Sequence, residues 1–259
     1  MRTFKLWNAD RSASFDLSST SVQVTDVSGL GSNFKNKIGT LLTLGVNRSY
    51  TTNRQVEFEP IKMKIIFGIK SNAYTQYKSF MDFISLWFGQ LSLEYQSNDR
   101  TIYADIEIKS APKSQKNQFN IIAEDITWDR ITPWYEYIDI TGTKITINNS
   151  TNYMDIEPIV QFETATVPGY FLKISKTGYV DTIFLLEILQ GLNSGDMLII
   201  DSENKKIIYD DGISQTSAYD MVNHESYAFP NIPAGKSYDI YESTQTKTIR
   251  VKYKKWVID

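Results

Sequence analysis

The chain has 259 residues, of which 41% are hydrophobic and 13% aromatic, with a formal net charge of −3 and no cysteine. That length suits two medium domains or one large β domain. The lack of cysteine excludes disulfide staples, thiolate metal sites and cysteine nucleophiles, and it fits synthesis in a reducing cytosol.

In chain order, Met1 to Asp10 carries charges and no apolar core region, so no secretory signal is expected there. Gly29-Leu30-Gly31-Ser32 lacks the third glycine of a dinucleotide loop and reads as a plain loop. Val56 and Phe58, then Met63, Ile65 and Phe67 beyond Pro60, alternate with polar neighbours as strand residues do. Between Asn72 and Phe88 the period changes: Tyr74, Tyr77, Met81, Ile84 and Phe88 fall at steps of three and four, with Phe80 and Trp87 widening the stripe. This predicts one amphipathic helix over 72–88, capped by Ser71 or Asn72, stopped by Gly89 and laid on a sheet. Strand periodicity then resumes at Leu91/Leu93/Tyr95 and at Ile102/Ala104/Ile106/Ile108, separated by Ser97-Asn98-Asp99. Phe119, Ile121 and Ala123 extend the pattern, with Ile122 and Ile126 expected on the other face.

A boundary is predicted after Thr132-Pro133-Trp134-Tyr135. The expected division is a first domain over 1–135, a turn-rich linker over 136–155 holding a short strand Lys144–Ile147, and a second domain over 156–259. Strands follow at Ile159–Glu163, Tyr170–Ile174, Ile183–Leu189, Met197–Asp201, Lys206–Tyr209 and Ile249–Tyr253, and their even spacing argues for an antiparallel β-sandwich. Ser202-Glu203-Asn204-Lys205 closes a hairpin. After Ile249, Val251 and Tyr253, the apolar residues Trp256 and Ile258 change phase, which predicts a bulge or bend. The fold class is therefore mainly β in two domains, a sandwich-like N-terminal domain with one helix and a C-terminal sandwich.

Little in the sequence points to chemistry. His224 is the single histidine and sits in a polar loop, so neither a metal site nor a Ser–His–acid triad has the partners it needs. No Gly-x-Ser-x-Gly elbow and no Walker-type phosphate loop is present. Asp210-Asp211-Gly212 reads as a turn ending a strand rather than a calcium loop. No catalytic, cofactor or metal residue is expected, and the longest apolar stretches are too short to cross a bilayer.

Charge is uneven. Residues 1–135 carry 16 Lys and Arg against 13 Asp and Glu, whereas 136–259 carry 11 against 17. The two units thus have opposite balances, and the scattered cations of the first argue against specific nucleic-acid binding.

Two stretches carry a family likeness. The first runs from Gly39 to Tyr135, through Arg48, Arg54, Val56–Phe58, Ile65–Phe67, the Tyr74/Tyr77/Phe80/Phe83 helix, Leu91–Tyr95, Tyr103 and Trp134-Tyr135. It resembles the N-terminal domain of siphophage distal tail proteins. The second runs from Glu157-Pro158 through Ser194-Gly195-Asp196, Leu198–Asp201, Lys206–Gly212 and Phe229–Gly235 into a Tyr- and Trp-rich strand. It resembles the galectin-like C-terminal sandwich of the same family. The resemblance implies a homohexameric ring in the virion tail tip, single or doubled back to back, with a central hole for DNA. It implies the tail tube protein above, the tail-associated lysin or fibre protein below, and receptor-binding proteins on the second domain. It implies no catalytic residues. Ring closure needs a heterologous interface on each subunit, and the segment Leu44 to Pro60 is the candidate arm, with Arg48, Tyr50 and Arg54 expected to contact a neighbour. The alternative is a carbohydrate-binding adhesin that touches host wall saccharide itself.

Overall fold

The elements follow from where apolar residues recur along the chain. The structure is a computed structural model and describes residues 2–31, 35–36, 39–43, 46–50, 56–69, 72–89, 91–97, 100–111, 121–149, 155–163, 171–178, 182–187, 193, 195–223, 229–242 and 247–257. They form two compact units, Met1–Tyr135 with Val257–Asp259, and Glu136–Trp256. The fold is mainly β and antiparallel.

In the first unit the strands are β1 (Thr3–Asn8), β2 (Ser14–Asp16), β3 (Val22–Ser28), β4 (Lys35–Asn36), β5 (Gly39–Thr43), β6 (Val46–Tyr50), β7 (Val56–Glu57) and β8 (Ile61–Phe67). Helix α1 (Ala73–Leu86) follows, then β9 (Leu91–Gln96), β10 (Thr101–Ser110) and β11 (Ile122–Arg130). The main sheet runs β2-β1-β9-β10-β11-β8-β3. Ile61, Met63, Ile65 and Phe67 of β8 turn one way and join Phe4 and Leu6 of β1 in a single buried core. Each such side chain contributes about 1.5–3 kcal/mol by leaving water.

Helix α1 lies on this core. Asn72 caps it, its side chain accepting from the Tyr74 N–H at 3.0 Å, while Ser71 lies outside the described residues. Phe80 packs on Phe67 at 5.2 Å, Phe15 at 5.4 Å and Trp128 at 6.5 Å, so β2, β8 and β11 all meet one helix face. The buried stripe is Ala73, Phe80 and Ile84, flanked by Tyr77, Met81, Phe83 and Trp87. Two residues of the predicted stripe are not in it: Tyr74 is 63% exposed and Phe88 is 69% exposed. At about 100° per residue Tyr74 lies a third of a turn from Phe80, and Phe88 falls beyond the last helical residue.

The strand after residue 120 also differs in phase. Ile122, Ile126 and Trp128 face the core and Ala123 faces solvent, the reverse of the expected faces, while Phe119 lies outside the described residues. Pairing of Ile122 with Phe67, Ile126 with Met63 and Trp128 with Ile61 brings the apolar faces into line, and a shift of one residue would undo all three.

The second unit begins inside β12 (Tyr135–Gly142) and continues with β13 (Lys144–Asn148), β14 (Ile159–Glu163), β15 (Phe171–Lys176), β16 (Thr182–Glu187), β17 (Met197–Asp201), β18 (Lys206–Asp210) and β19 (Gln215–Ser217). A short 3-10 turn (Tyr219–Met221), β20 (Ser237–Glu242) and β21 (Ile249–Trp256) complete it. One sheet has the order β19-β18-β17-β14-β21-β12 and the other β13-β20-β15-β16. Val160, Phe162, Leu198, Ile200, Ile249 and Val251 of the first meet Ile145, Ile147, Leu172, Ile174 and Ile240 of the second, which makes a β-sandwich. The stretch expected as a linker thus supplies one strand to each sheet, because Ile145 and Ile147 bury against that core.

The hairpin over 202–205 is as expected, with Lys205 in the left-handed region and the Asn204 N–H donating to Asp201 at 2.9 Å. The phase change near the end has its reason at Val257. Strand β21 runs through Trp256 in the second unit, and Val257, one residue on, belongs to the first core. Ile258 lies outside the described residues.

Candidate functional site

Between β3 and β8 the chain makes a two-stranded excursion. Strand β5 pairs antiparallel with β6, Gly39 opposite Tyr50 and Leu41 opposite Arg48, and β4 pairs with β7, Lys35 opposite Glu57. Among the described strands these four pair only with each other and not with the main sheet. Arg48 and Tyr50 sit two positions apart on β6, and Arg54 lies outside the described residues. The antiparallel pairing of β5 with β6 makes a hairpin, and the described residues that flank the excursion, Gly29–Gly31 and Phe58–Pro60, are built into the first unit.

That near end is tightly made. Gly29, with φ +82, lies so close to Pro60 that a Cβ there would be 2.2 Å from the proline carbonyl oxygen, so only glycine fits. The Trp134 indole N–H donates to the Leu30 carbonyl at 2.8 Å. Arg130, buried on the core face of β11, donates from its guanidinium to the Gly31 carbonyl at 3.2 Å. The same guanidinium lies 4.4 Å from the Phe58 ring centroid and 5.6 Å from that of Trp134. Both the outgoing segment (Leu30, Gly31) and the returning one (Phe58) therefore meet side chains of one short stretch, Arg130 and Trp134. No feature of the sequence pattern singled out Arg130; the cue available was a cation at a core-facing strand position.

Two polar clusters lie elsewhere. In the first unit a turn at Asn8–Ala13, with Arg11 at φ +61, puts the Arg11 guanidinium 3.9 Å from the Tyr103 ring centroid. Tyr103 stacks on Tyr135 at 6.0 Å, and the Tyr135 hydroxyl donates to Asp105 at 2.7 Å. Burial, reinforced by the Asp105 carboxylate, pushes the Tyr135 phenol far above its ordinary range. In the second unit Asp239 accepts from Thr146 at 2.7 Å and Thr177 at 3.1 Å and pairs with Lys144 at 2.9 Å. Burial works to raise the Asp239 pKa, but the hydrogen bonds and the Lys144 charge outweigh it, and the net shift is downward. The Tyr135–Asp105 bond in the first cluster and the Thr146, Thr177 and Lys144 contacts to Asp239 in the second tie neighbouring parts of each unit together.

The expected turn at Asp210-Asp211-Gly212 is present, with the Asp211 carboxylate accepting the N–H groups of Ile213 and Ser214. His224 lies outside the described residues. Among the described residues no group of three or more His, Cys, Asp or Glu is placed to hold a metal, and no helix is long and apolar enough to cross a membrane. The first unit instead exposes large apolar groups beside its helix, Leu86 at 73% along with Tyr74 and Phe88.

The family described as "Distal tail protein, N-terminal domain" matches residues 3–131, the part of the chain that holds the first unit's main sheet, the helix and the hairpin. The chain belongs to the distal tail protein family. The distal tail protein of Lactococcus phage p2 is 29% identical over 168 residues, 64% of this chain and 53% of that one. The distal tail protein of Lactococcus phage SK1 is 31% identical over 133 residues, 50% of this chain and 43% of that one. The chain thus spans about half the length of the curated relatives it matches. Among solved structures, a chain of the phage p2 baseplate in its activated conformation with Sr aligns with TM-score 0.71 at 17% identity, covering 99% of both chains. The SPP1 Dit protein, described as a hub of the adsorption apparatus in phages infecting Gram-positive hosts, aligns with TM-score 0.62 at 12% identity, covering 98% of this chain and 99% of that one. At these identities the structural likenesses establish the fold.

Proposed function

We propose that the chain is a structural component of a phage baseplate at the tail tip, where six copies close into a ring around a hole through which DNA passes. The observation that carries this is the pair of β5 and β6, in the family-matched half, which among the described strands pair with each other and not with the main sheet. Such a hairpin offers free edges to a neighbouring subunit, and a heterologous contact repeated around an axis closes a ring. Exposed Tyr74, Leu86 and Phe88 add apolar surface of the kind that assembly covers. In this reading Arg48, Tyr50 and Arg54 contact the next subunit. The tail tube protein binds above, the tail-associated lysin or fibre protein below, and receptor-binding proteins attach to the second unit. The chain itself does no catalysis and takes no cofactor.

Light scattering and negative-stain imaging of the purified chain test the ring directly. A sixfold ring with a central hole is expected for the parent, and loss of the ring is expected when Arg48, Tyr50 and Arg54 are all replaced by Ala. Intact rings in that triple variant would overturn the role given to the arm.

A second reading has one observation in its favour. On the outward face of β13, β20 and β15, Tyr241 stands opposite both Lys144 and Lys173, with Asp239 one rung away. An aromatic ring between cations and hydroxyls suits a saccharide, so the second unit would act as an adhesin. Calorimetry of the full chain with host wall saccharide tests this, and heat of binding that is lost in Tyr241→Ala would support it.

A further inference from the structure

We infer that Arg130 and Trp134 form a clamp that sets the direction in which the hairpin leaves the first unit. Arg130 is then the positioning residue for assembly. The inference rests on the arm reading above and adds to it the part of the chain that aims the arm.

The alternation of β11 places Ile122, Glu124, Ile126, Trp128 and Arg130 on the core side. A cation there costs desolvation that an apolar side chain would not, so its geometry needs a reason. Its guanidinium spans the gap between the two ends of the hairpin. It donates to the Gly31 carbonyl on the outgoing end and lies over the Phe58 ring on the returning end, within cation–π range of both Phe58 and Trp134. Trp134 lies against it as well. Its indole holds the Leu30 carbonyl, and its own carbonyl accepts the Val257 N–H at 2.8 Å, so the tryptophan cannot move without breaking a second backbone tie. Below the clamp, Gly29 and Pro60 are in direct backbone contact and Ser28 pairs with Lys62, so the root has no slack at its base.

A clamp at this place has a consequence for assembly. A heterologous contact gives a closed ring only if each subunit is rotated from the last by one fixed angle; an arm free to swing gives open or mixed oligomers. Lysine could not replace arginine here, because a point-like ammonium lacks the flat fork that meets a carbonyl and two rings at once.

The absence of native cysteine makes the test direct. Nitroxide labels on Thr40→Cys, in the arm, and Lys64→Cys, on β8, report the arm-to-sheet distance by pulsed electron paramagnetic resonance, with labelled chain diluted tenfold into unlabelled chain. One narrow distance distribution is expected for the parent. Arg130→Gln should broaden it at least twofold, and so should Phe58→Leu, which removes the ring but keeps apolar bulk and stands in if the first variant does not fold. An unchanged width in a folded variant overturns the clamp. Light scattering then separates the two ideas: oligomers of mixed size are expected from Arg130→Gln. A chain whose residues 37–54 are replaced by a short turn is expected to stay monomeric. Rings from that shortened chain would sink the arm reading, while the distance widths would still judge the clamp.

Discussion

Replacing Phe80 with Ala should unfold the first unit at much lower denaturant and leave the second unit where it was. The Phe80 ring is fully buried and touches Phe15, Phe67 and Trp128, which come from three different strands. Those strands cannot all close onto an alanine, so most of the ring's volume remains as a cavity, and truncations of this kind cost about 3–5 kcal/mol. With a urea slope of about 2 kcal/mol per molar for a domain of this size, a loss of about 4 kcal/mol lowers the midpoint by about 2 M. Tryptophan fluorescence reports the first unit well, because Trp7, Trp87, Trp128 and Trp134 lie in it and only Trp256 in the second. Amide exchange at Ile200 and Val251 follows the second core. A fluorescence midpoint that moves by less than about 0.5 M, or loss of protection at Ile200 and Val251 at the same urea concentration, would refute the assignment of two separate cores.

Three further outcomes follow from the same geometry. Gly68 has φ +96, and a Cβ there would lie 2.5 Å from that of Ala73, so Gly68→Ala should cost about 2 kcal/mol or more, read as a fall in the first unit's thermal midpoint. Asp239 has its folded pKa below the unfolded value of about 3.9, so its contribution is fully present above that pH and is lost as pH falls through the folded value; Asp239→Asn should flatten the second unit's acid limb and cost about 2 kcal/mol at pH 7, and an unchanged limb in acid titration of stability would contradict the pairing. Tyr135 shifts the other way: its phenol is raised, so its contribution is present below the unfolded value of about 10 and lost as pH rises beyond it, and Tyr135→Phe should remove that alkaline loss while costing about 1 kcal/mol at neutral pH, both measurable by urea titration across pH.

Periodicity made much of this protein legible before any coordinates. Alternation at Met63/Ile65/Phe67, Leu91/Leu93 and Ile102/Ala104/Ile106 marked strands that are strands, since these residues share the buried face of each. The switch to steps of three and four marked the single α-helix described. Local pattern left the phase open wherever apolar residues crowd both faces. Ile121, Ile122 and Ala123 are all apolar, and only the pairing of Ile122 with Phe67 decides which face is inside. The same holds for Tyr74, whose spacing suits a stripe but whose angle misses the core, and for Phe88, which lies past the helix end.

The chain alone, then, determined a cysteine-free, mainly β protein with one amphipathic helix and two units of opposite charge balance, because composition and period are properties of neighbouring residues. What only the tertiary structure decided is how the arm is rooted. Leu30, Gly31, Phe58, Arg130 and Trp134 meet across roughly a hundred positions of sequence, and contacts at that separation leave no periodic trace. A buried arginine on β11 looks like an error of pattern until the two ends of the hairpin are seen on either side of it.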